Sequence, residues 1–171
     1  MPAAPLTEAE IDALLAQPME ISGRVQWVQK SNDVWAEATL AVRHPRREVN
    51  LTVRMTVNLV ASEKFALSLL LDNSQRIRGV DVRGNHENKH TDNNRWVQQT
   101  HEHRWTDLCH GTWAAEPEPF PGQPEPPFAA FCGTVGIRFT GVWGFAQKGP
   151  SAQEVEPLHQ KSVSALAASV A

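Results

Sequence analysis

Apolar and polar residues alternate with a period of two along most of residues 20–83, which predicts β-strands with one buried face. Short polar turns separate the alternating segments, and such turns join antiparallel neighbours. The pattern therefore predicts an antiparallel β-meander. The predicted strands cover residues 20–29, 34–43, 50–60, 65–71, 75–83 and 95–105, with an additional strand at 131–146.

Helical periodicity appears near the start of the chain. Thr7 is a typical N-cap, Glu10 completes a capping box with it, and Pro18 stops the helix. These signals predict a short helix over residues 8–17. The predicted fold class is therefore α+β: a curved antiparallel β-meander of about six to seven strands, a short N-terminal helix and a Pro-rich strap.

The 171 residues are expected to form a single domain. Its α+β core is predicted to cover residues 6–110. Prolines and glutamates dominate residues 115–128, which predicts an extended acidic strap rather than a helix or a central strand. Residues 150–171 are rich in Ala and Ser and predict a weak helix or a disordered tail.

The predicted strand at 75–83 departs from strict alternation. Its apolar residues share one face only if Arg78 and Gly79 form a β-bulge, in which glycine adopts the unusual backbone angles. With that register, Asp81 and Arg83 point to the face opposite the core. Bulges often lie beside functional sites, and this strand leads directly into a histidine-rich segment.

Five of the seven histidines lie within residues 81–110. Residues 84–94 contain no apolar side chain and predict a polar loop of functional type. The strand that follows places His101 and His103 on one face, about 6.5–7 Å apart along the strand. Together with His86 from the loop, they form the candidate site.

Histidine exchanges protons near neutral pH, so two histidines around a phosphodiester suffice for RNA cleavage without a metal or another cofactor. Basic side chains stabilise the phosphorane charge, aromatic side chains stack bases, and amides contact base edges. The candidate catalytic residues are His86, His101, His103, Lys89 and Arg104, and the candidate substrate-binding residues are Arg83, Asn85, Asn88, Trp96 and Trp105.

Two alternative functions stay open. The HxH pair with a third histidine also suits zinc or another divalent ion, which would make the protein a metal-dependent hydrolase. Candidate oxygen ligands are Asp81, Glu102 and Asp107, although Glu102 faces away from the pair. The acidic strap and the tryptophans instead suit a non-enzymatic protein that blocks or assembles with a protein partner. For some of these residues an ordinary structural or surface role is the alternative to a functional one. This applies to His44 and to the arginines of the strand at 75–83, which are expected on a solvated face.

Composition limits the environment and the partners. The formal net charge is -3, so a nucleic-acid site has to be local. The longest apolar runs are too short for a bilayer, and the first residues lack the features of a signal peptide. The two cysteines form no CxxC pair. These features predict a cytoplasmic protein without a membrane partner.

The run LLLDNSQRIRGVDVRGNHENKH followed by THEHRW resembles a family of small bacterial and phage proteins of unassigned activity, with a GxHxN motif and then a THxHxY motif. Gly84, His86 and Asn88 match the first motif, and His101 and His103 match the second. The PDG of the family's first motif is missing here, and the strap and last strand have no counterpart. Similar small families accompany toxin–antitoxin and phage-defence genes. The resemblance thus implies a toxin or defence role, with RNA as the target and an antitoxin or defence component as a protein partner.

Overall fold

The structure is a computed structural model that describes residues 6–84, 86–87, 96–97, 100–115 and 127–144. Side chains are described throughout these ranges except at residues 86–87, 96–97 and 127. The helices and strands are, in chain order, α1 (Glu8–Leu15), β1 (Met19–Ile21), β2 (Val28–Gln29), β3 (Trp35–Val42), β4 (Leu51–Asn58), β5 (Phe65–Leu71), β6 (Gln75–Val82), β7 (His86–Glu87), β8 (Trp96–Val97), β9 (His101–Arg104), β10 (Trp113–Ala115), α2 (Pro127–Thr134) and β11 (Ile137–Phe139).

The main sheet is open and antiparallel, with the strand order β10-β9-β6-β5-β4-β3-β2. Strands β2 to β6 are neighbours both in sequence and in space, which confirms the predicted α+β meander. Strands β1 and β11 form a separate parallel pair, and β7 and β8 form a short antiparallel pair.

One face of the main sheet, called here the inner face, carries the hydrophobic core. Leu40, Val53 and Leu69 lie directly opposite one another on three adjacent strands, and all three are buried. Helix α1 packs on this face through Ile11 and Leu14, which belong to the same core cluster. The other face of the sheet, called here the outer face, carries the candidate site.

The predicted capping box of α1 is confirmed. The Thr7 hydroxyl accepts a hydrogen bond from the Glu10 backbone N–H, and the Glu10 carboxylate accepts one from the Thr7 backbone N–H at 2.8 Å. A third contact ties the helix to the loop after β9, because the Asp107 carboxylate accepts from the Glu8 backbone N–H at 2.6 Å. The helix N-terminus is thereby held by both local and distant residues.

His44 fixes the other end of α1. Its Nδ1 accepts a hydrogen bond from the Arg46 backbone N–H at 3.1 Å, so its Nε2 carries the proton and donates to the Leu14 carbonyl at 3.2 Å. The ring is buried. His44 therefore satisfies a carbonyl at the helix C-terminus, and its role is structural.

A Glu10→Gln variant is expected to be less stable than the wild type at pH 6, and the difference is expected to shrink as the pH falls below 4.5. The hydrogen bonds from the Thr7 backbone and hydroxyl lower the pKa of Glu10 below its ordinary value of 4.5. A carboxyl with a lowered folded-state pKa stabilises the protein above the unfolded pKa, and this contribution is lost as pH falls through the folded pKa. Urea unfolding across this pH range measures the difference, and a gap that persists at low pH would contradict the capping role.

The predicted strand over residues 20–29 is wrong as one continuous strand. Strand β1 ends at Ile21, β2 begins at Val28, and the two strands belong to different sheets. Gly23 has a φ of +98°, and a Cβ atom on Gly141 would overlap the Gly23 carbonyl oxygen. The direct contact between these two backbone segments turns the chain away from the main sheet before β2.

The predicted strand over residues 131–146 is wrong in its first part, which belongs to α2, and within the described residues up to 144 it is correct at β11. The segment alternates with a period of two, but it also has apolar residues at helical spacing, and burial against the core selects the helix. The side chains buried on that spacing are Phe128, Phe131, Cys132 and Val135.

A β-bulge interrupts β6, close to the predicted place but not at Arg78 and Gly79. Leu69 lies opposite Arg78 whereas Leu70 lies opposite Arg76, so Ile77 is the extra residue. Ile77 is fully buried in the core. The extra residue changes the alternation of β6, and as a result Arg76 lies on the outer face together with Leu70.

No helix within the described ranges is both long and apolar enough to cross a bilayer. Most of the polar loop at 84–94, most of the strap at 115–128 and all of the tail at 150–171 fall outside the described residues. The predictions for the undescribed parts of these segments stay predictions. The strap prediction is wrong at its described end, because Pro127 and Phe128 begin helix α2. The predicted strand at 95–105 is described in two pieces, β8 and β9.

Candidate metal centre

Strands β6 and β9 bring three side chains of metal-ligand type together on the outer face. Asp81 lies directly opposite His101, and His103 follows two residues later, opposite Gly79. Side chains alternate between the faces of a strand, so both histidines share the face of Asp81, whereas Glu102 points to the other face. His101 and His103 therefore lie side by side, as their spacing predicts.

The three side chains converge on one carboxylate oxygen. Asp81 Oδ2 lies 3.2 Å from His103 Nε2 and 3.4 Å from His101 Nε2. The two imidazole rings meet edge to face, with 4.9 Å between their centroids and 75° between their planes. One ligand atom from each of the three residues falls within 4.8 Å of the others. The convergence is therefore tight enough for all three to contact one small ion.

The two histidines and the aspartate differ in how far they are buried. Each ring is 1% exposed, whereas the Asp81 side chain is 28% exposed. The rings are held in a fixed orientation by their surroundings, and the carboxylate lies on the side of the cluster that faces solvent. A ligand from solution thus has access to the cluster from the Asp81 side.

Two glycines provide the space for this arrangement. A Cβ atom on Gly84 would lie 3.1 Å from His101 Cε1 and 3.3 Å from Asp81 Cβ, closer than most real Cβ contacts. A Cβ atom added to Gly79, which lies opposite His103, would be 3.0 Å from Arg76 Cδ. The absence of side chains at both positions allows the larger groups to pack around the cluster.

Asp81 is ionised at neutral pH. Burial acts to raise the pKa of its carboxyl, but the hydrogen bond from His103 and the positive charges around it outweigh burial, so the pKa lies below the ordinary value of 3.8. The carboxylate is the form of aspartate that ligates a metal ion.

The two distances from Asp81 Oδ2 match the ligand spacing of a metal centre, and the ligand nitrogens of the two histidines lie within 4.8 Å of each other. An ion that lies 2.0–2.1 Å from each of two tetrahedral ligands separates those ligands by about 3.3–3.4 Å. The two distances from Asp81 Oδ2 to the histidine Nε2 atoms, 3.2 and 3.4 Å, are close to this value. Two imidazole nitrogens and one carboxylate oxygen are a donor set used by zinc and by non-haem iron.

Arg76 is the neighbouring residue that the sequence did not single out, since it was expected on a solvated strand face. Its Nη1 lies 3.9 Å from Asp81 Oδ2, and its Nε donates to the Gly111 carbonyl at 3.2 Å. Burial lowers the pKa of Arg76 and the Asp81 charge opposes this, but a guanidinium stays protonated in proteins. The bulge at Ile77 turns the Arg76 side chain to the same face of β6 as Asp81, and the exact position of this bulge is the feature that would have predicted it.

Three other predicted site residues lie apart from the cluster. Arg83 pairs with Glu63 at 2.8 Å and is mostly exposed. Arg104 pairs with Glu102 at 2.6 Å on the other face of β9. Trp105 is 3% exposed in the core, and its Nε1 donates to the Leu6 carbonyl, so its indole is not available to stack a base.

The remaining predicted site residues cannot be placed relative to the cluster. His86 and Trp96 lie in β7 and β8, but their side chains fall outside the described part of the chain. Asn85, Asn88 and Lys89 also lie outside the described residues.

Among the three candidate oxygen ligands, the geometry selects Asp81. Glu102 faces away from the histidines, as expected, and Asp107 binds the backbone at the start of α1. Comparison with other proteins adds no independent assignment. The chain matches no protein-family model, no curated protein and no solved structure, so the resemblance to small bacterial and phage proteins stays a prediction and the site is interpreted from its own chemistry.

Proposed function

We propose that Asp81, His101 and His103 bind one divalent transition-metal ion, and that the protein is a metal-dependent hydrolase. The observation that carries this proposal is the convergence of one ligand atom from each of these residues within 4.8 Å, on adjacent strands of a rigid sheet. Sites built on strands hold their ligands more firmly than sites built on loops.

Three protein ligands leave coordination positions for water and for a substrate. An ion held by Asp81, His101 and His103 would act as a Lewis acid that activates a water molecule and polarises the bond that is attacked. In such a hydrolysis water would add to an electrophilic carbon or phosphorus atom, the bond to the leaving group would break, and the leaving group would take up the proton that water loses. Hydrolysis requires water as its only co-reactant, whereas oxygenation by iron also requires dioxygen and a source of electrons.

Metal-free RNA cleavage by the histidines stays a prediction, as does assembly with a protein partner. Both rings are 1% exposed and share one carboxylate, which favours a small substrate over an RNA backbone. Digestion of RNA that continues in EDTA, and that is lost in a His101→Ala/His103→Ala variant, would support the RNA hypothesis against the metal hypothesis.

The proposal is tested by measuring the metal content of the purified protein and titrating the metal-free protein with zinc. One zinc ion per chain is expected, and Asp81→Asn is expected to weaken its binding by at least about 100-fold, because the variant loses an anionic ligand. Glu102→Gln is the matched control, since it removes a carboxylate from the adjacent strand on the opposite face.

Two results would contradict the metal centre. The first is a failure of zinc, iron(II) and manganese(II) to bind stoichiometrically. The second is equal zinc affinity in Asp81→Asn and in the wild type. A loss of affinity in Glu102→Gln as large as that in Asp81→Asn would show that the effect is not specific to the cluster.

A further inference from the structure

We infer that Arg76 makes the metal centre selective for substrates that carry an oxyanion, either a carboxylate or a phosphoryl group, beside the bond that is hydrolysed. This inference rests on the proposed metal centre and names the substrate class for it. It depends on the position of Arg76, on the charge of the loaded site, and on the groove that Arg76 lines.

The guanidinium of Arg76 is held next to the cluster by the sheet and by a loop. Its Nη1 is 3.9 Å from Asp81 Oδ2, the oxygen on which both histidines converge. Its Nε is fixed by the Gly111 carbonyl at 3.2 Å. These contacts occupy part of a group that has five N–H donors in a fork matched to carboxylate and phosphate.

Glycines on both sides of Arg76 permit this placement. The side chain crosses Gly79, where a Cβ atom would come within 3.0 Å of Arg76 Cδ and of the Leu67 carbonyl oxygen. Gly111 has a φ of +82°, and a Cβ on it would overlap the Arg76 carbonyl oxygen. Both the side chain and the backbone of Arg76 are therefore enclosed by close contacts, and its side chain is 27% exposed.

The charge of the loaded site, counted over the described side chains, favours an anion. Arg76 and Asp81 cancel each other, and two neutral imidazoles add no charge, so the charge of a divalent ion is not offset by these residues. The neighbouring acid Glu102 is on the other face and is paired with Arg104. A partly buried site with excess positive charge binds an anionic ligand because the ligand restores charge balance where water is scarce.

Arg76 also lines an open groove of about 1080 Å³, whose other lining residues do not include Asp81, His101 or His103. Leu6, Ala13 and Val49, which are not buried, provide apolar surface there, and Ser68 and His110 add polar groups. This volume slightly exceeds the range of about 300–1,000 Å³ that is usual for small-molecule sites. A small organic molecule with its oxyanion at Arg76 would place its apolar part along this groove.

The test uses calorimetric titration of the zinc-loaded protein with acetate and with methylphosphonate, two probes that present a carboxylate or a phosphoryl group on one methyl. At least one probe is expected to bind, and the tighter of the two identifies the substrate class. Arg76→Gln is expected to weaken that binding by about 10-fold to 100-fold while zinc binding is retained, because a hydrogen-bonded charge pair is lost.

Arg78→Gln is the matched control, since it removes the same charge from the same strand but from a side chain that pairs with Asp12 of α1. Arg76→Lys keeps the positive charge but loses the forked geometry, and an affinity between those of the wild type and Arg76→Gln is expected. If Arg76→Gln does not fold, Arg76→Lys provides the comparison.

The inference would be overturned if each probe bound the Arg76 variants as tightly as it binds the wild type. It would also be overturned if neither acetate nor methylphosphonate bound the zinc-loaded wild type. The zinc titration without a probe is made first. A failure at that step overturns the metal centre and this inference with it, whereas a failure confined to the probes leaves the metal centre standing.

Discussion

Zinc is expected to raise the melting temperature of the metal-free wild type by about 5–10 °C and to leave that of a His103→Ala variant unchanged. A ligand that binds only the folded state stabilises it by about 2.7 kcal/mol when its free concentration is 100 times the dissociation constant. In a chain of this length each kcal/mol raises the melting temperature by about 2–4 °C. His103 lies 3.2 Å from Asp81 Oδ2 and 4.9 Å, ring to ring, from His101, so its removal dismantles the cluster.

His44→Ala is the matched control for this measurement. His44 is also a buried histidine, but its Nε2 donates to the Leu14 carbonyl at the end of α1. The control variant is expected to melt at a lower temperature without metal and to keep the full increase on addition of zinc. A zinc-dependent increase in His103→Ala equal to that of the wild type would contradict the assignment of His103 as a ligand.

Phe128→Ala is expected to lower the free energy of unfolding by about 3–5 kcal/mol. Phe128 is fully buried in α2, stacks on Trp143 with 5.3 Å between ring centroids, and meets Phe139 edge to face at 5.0 Å. Its truncation removes both ring contacts and leaves a cavity in the core beside Phe139 and Trp143. Denaturant unfolding measures the loss.

Ala129→Ser is the control for Phe128→Ala, because Ala129 is exposed on the same helix. A change within about 0.5 kcal/mol is expected for it. A loss of less than about 1 kcal/mol in Phe128→Ala would mean that α2 contributes little to the core. In that case the helical spacing of Phe128, Phe131 and Cys132 would not explain why this segment is a helix.

Local signals predicted a large part of the fold. The capping box of Thr7 and Glu10 and the alternation of β3, β4 and β5 depend on residues that are close in sequence, and all of them are confirmed. Where a segment showed both a strand and a helix periodicity, its local sequence did not determine which of the two it forms. The segment around Phe131 satisfies both a strand and a helix pattern, and only its packing against the core decides between them.

Trp105 shows the same limit at the site. The sequence predicted Trp105 as a substrate-binding residue whose indole stacks a base. Strand β9 ends at Arg104, and the Trp105 side chain instead enters the core, where its Nε1 donates to the Leu6 carbonyl at 2.9 Å. The end of a strand depends on what the next residue contacts across the molecule, which no short pattern contains.

The sequence by itself determined that His101 and His103 share one face of a strand, because alternation of side chains is a property of any extended backbone. Only the tertiary structure decided that Asp81 completes the cluster and that Arg76 lies next to it. Both depend on the pairing of β6 with β9 and on the bulge at Ile77. Strand register is a long-range property, and a shift of one residue would turn these side chains to the other face of the sheet.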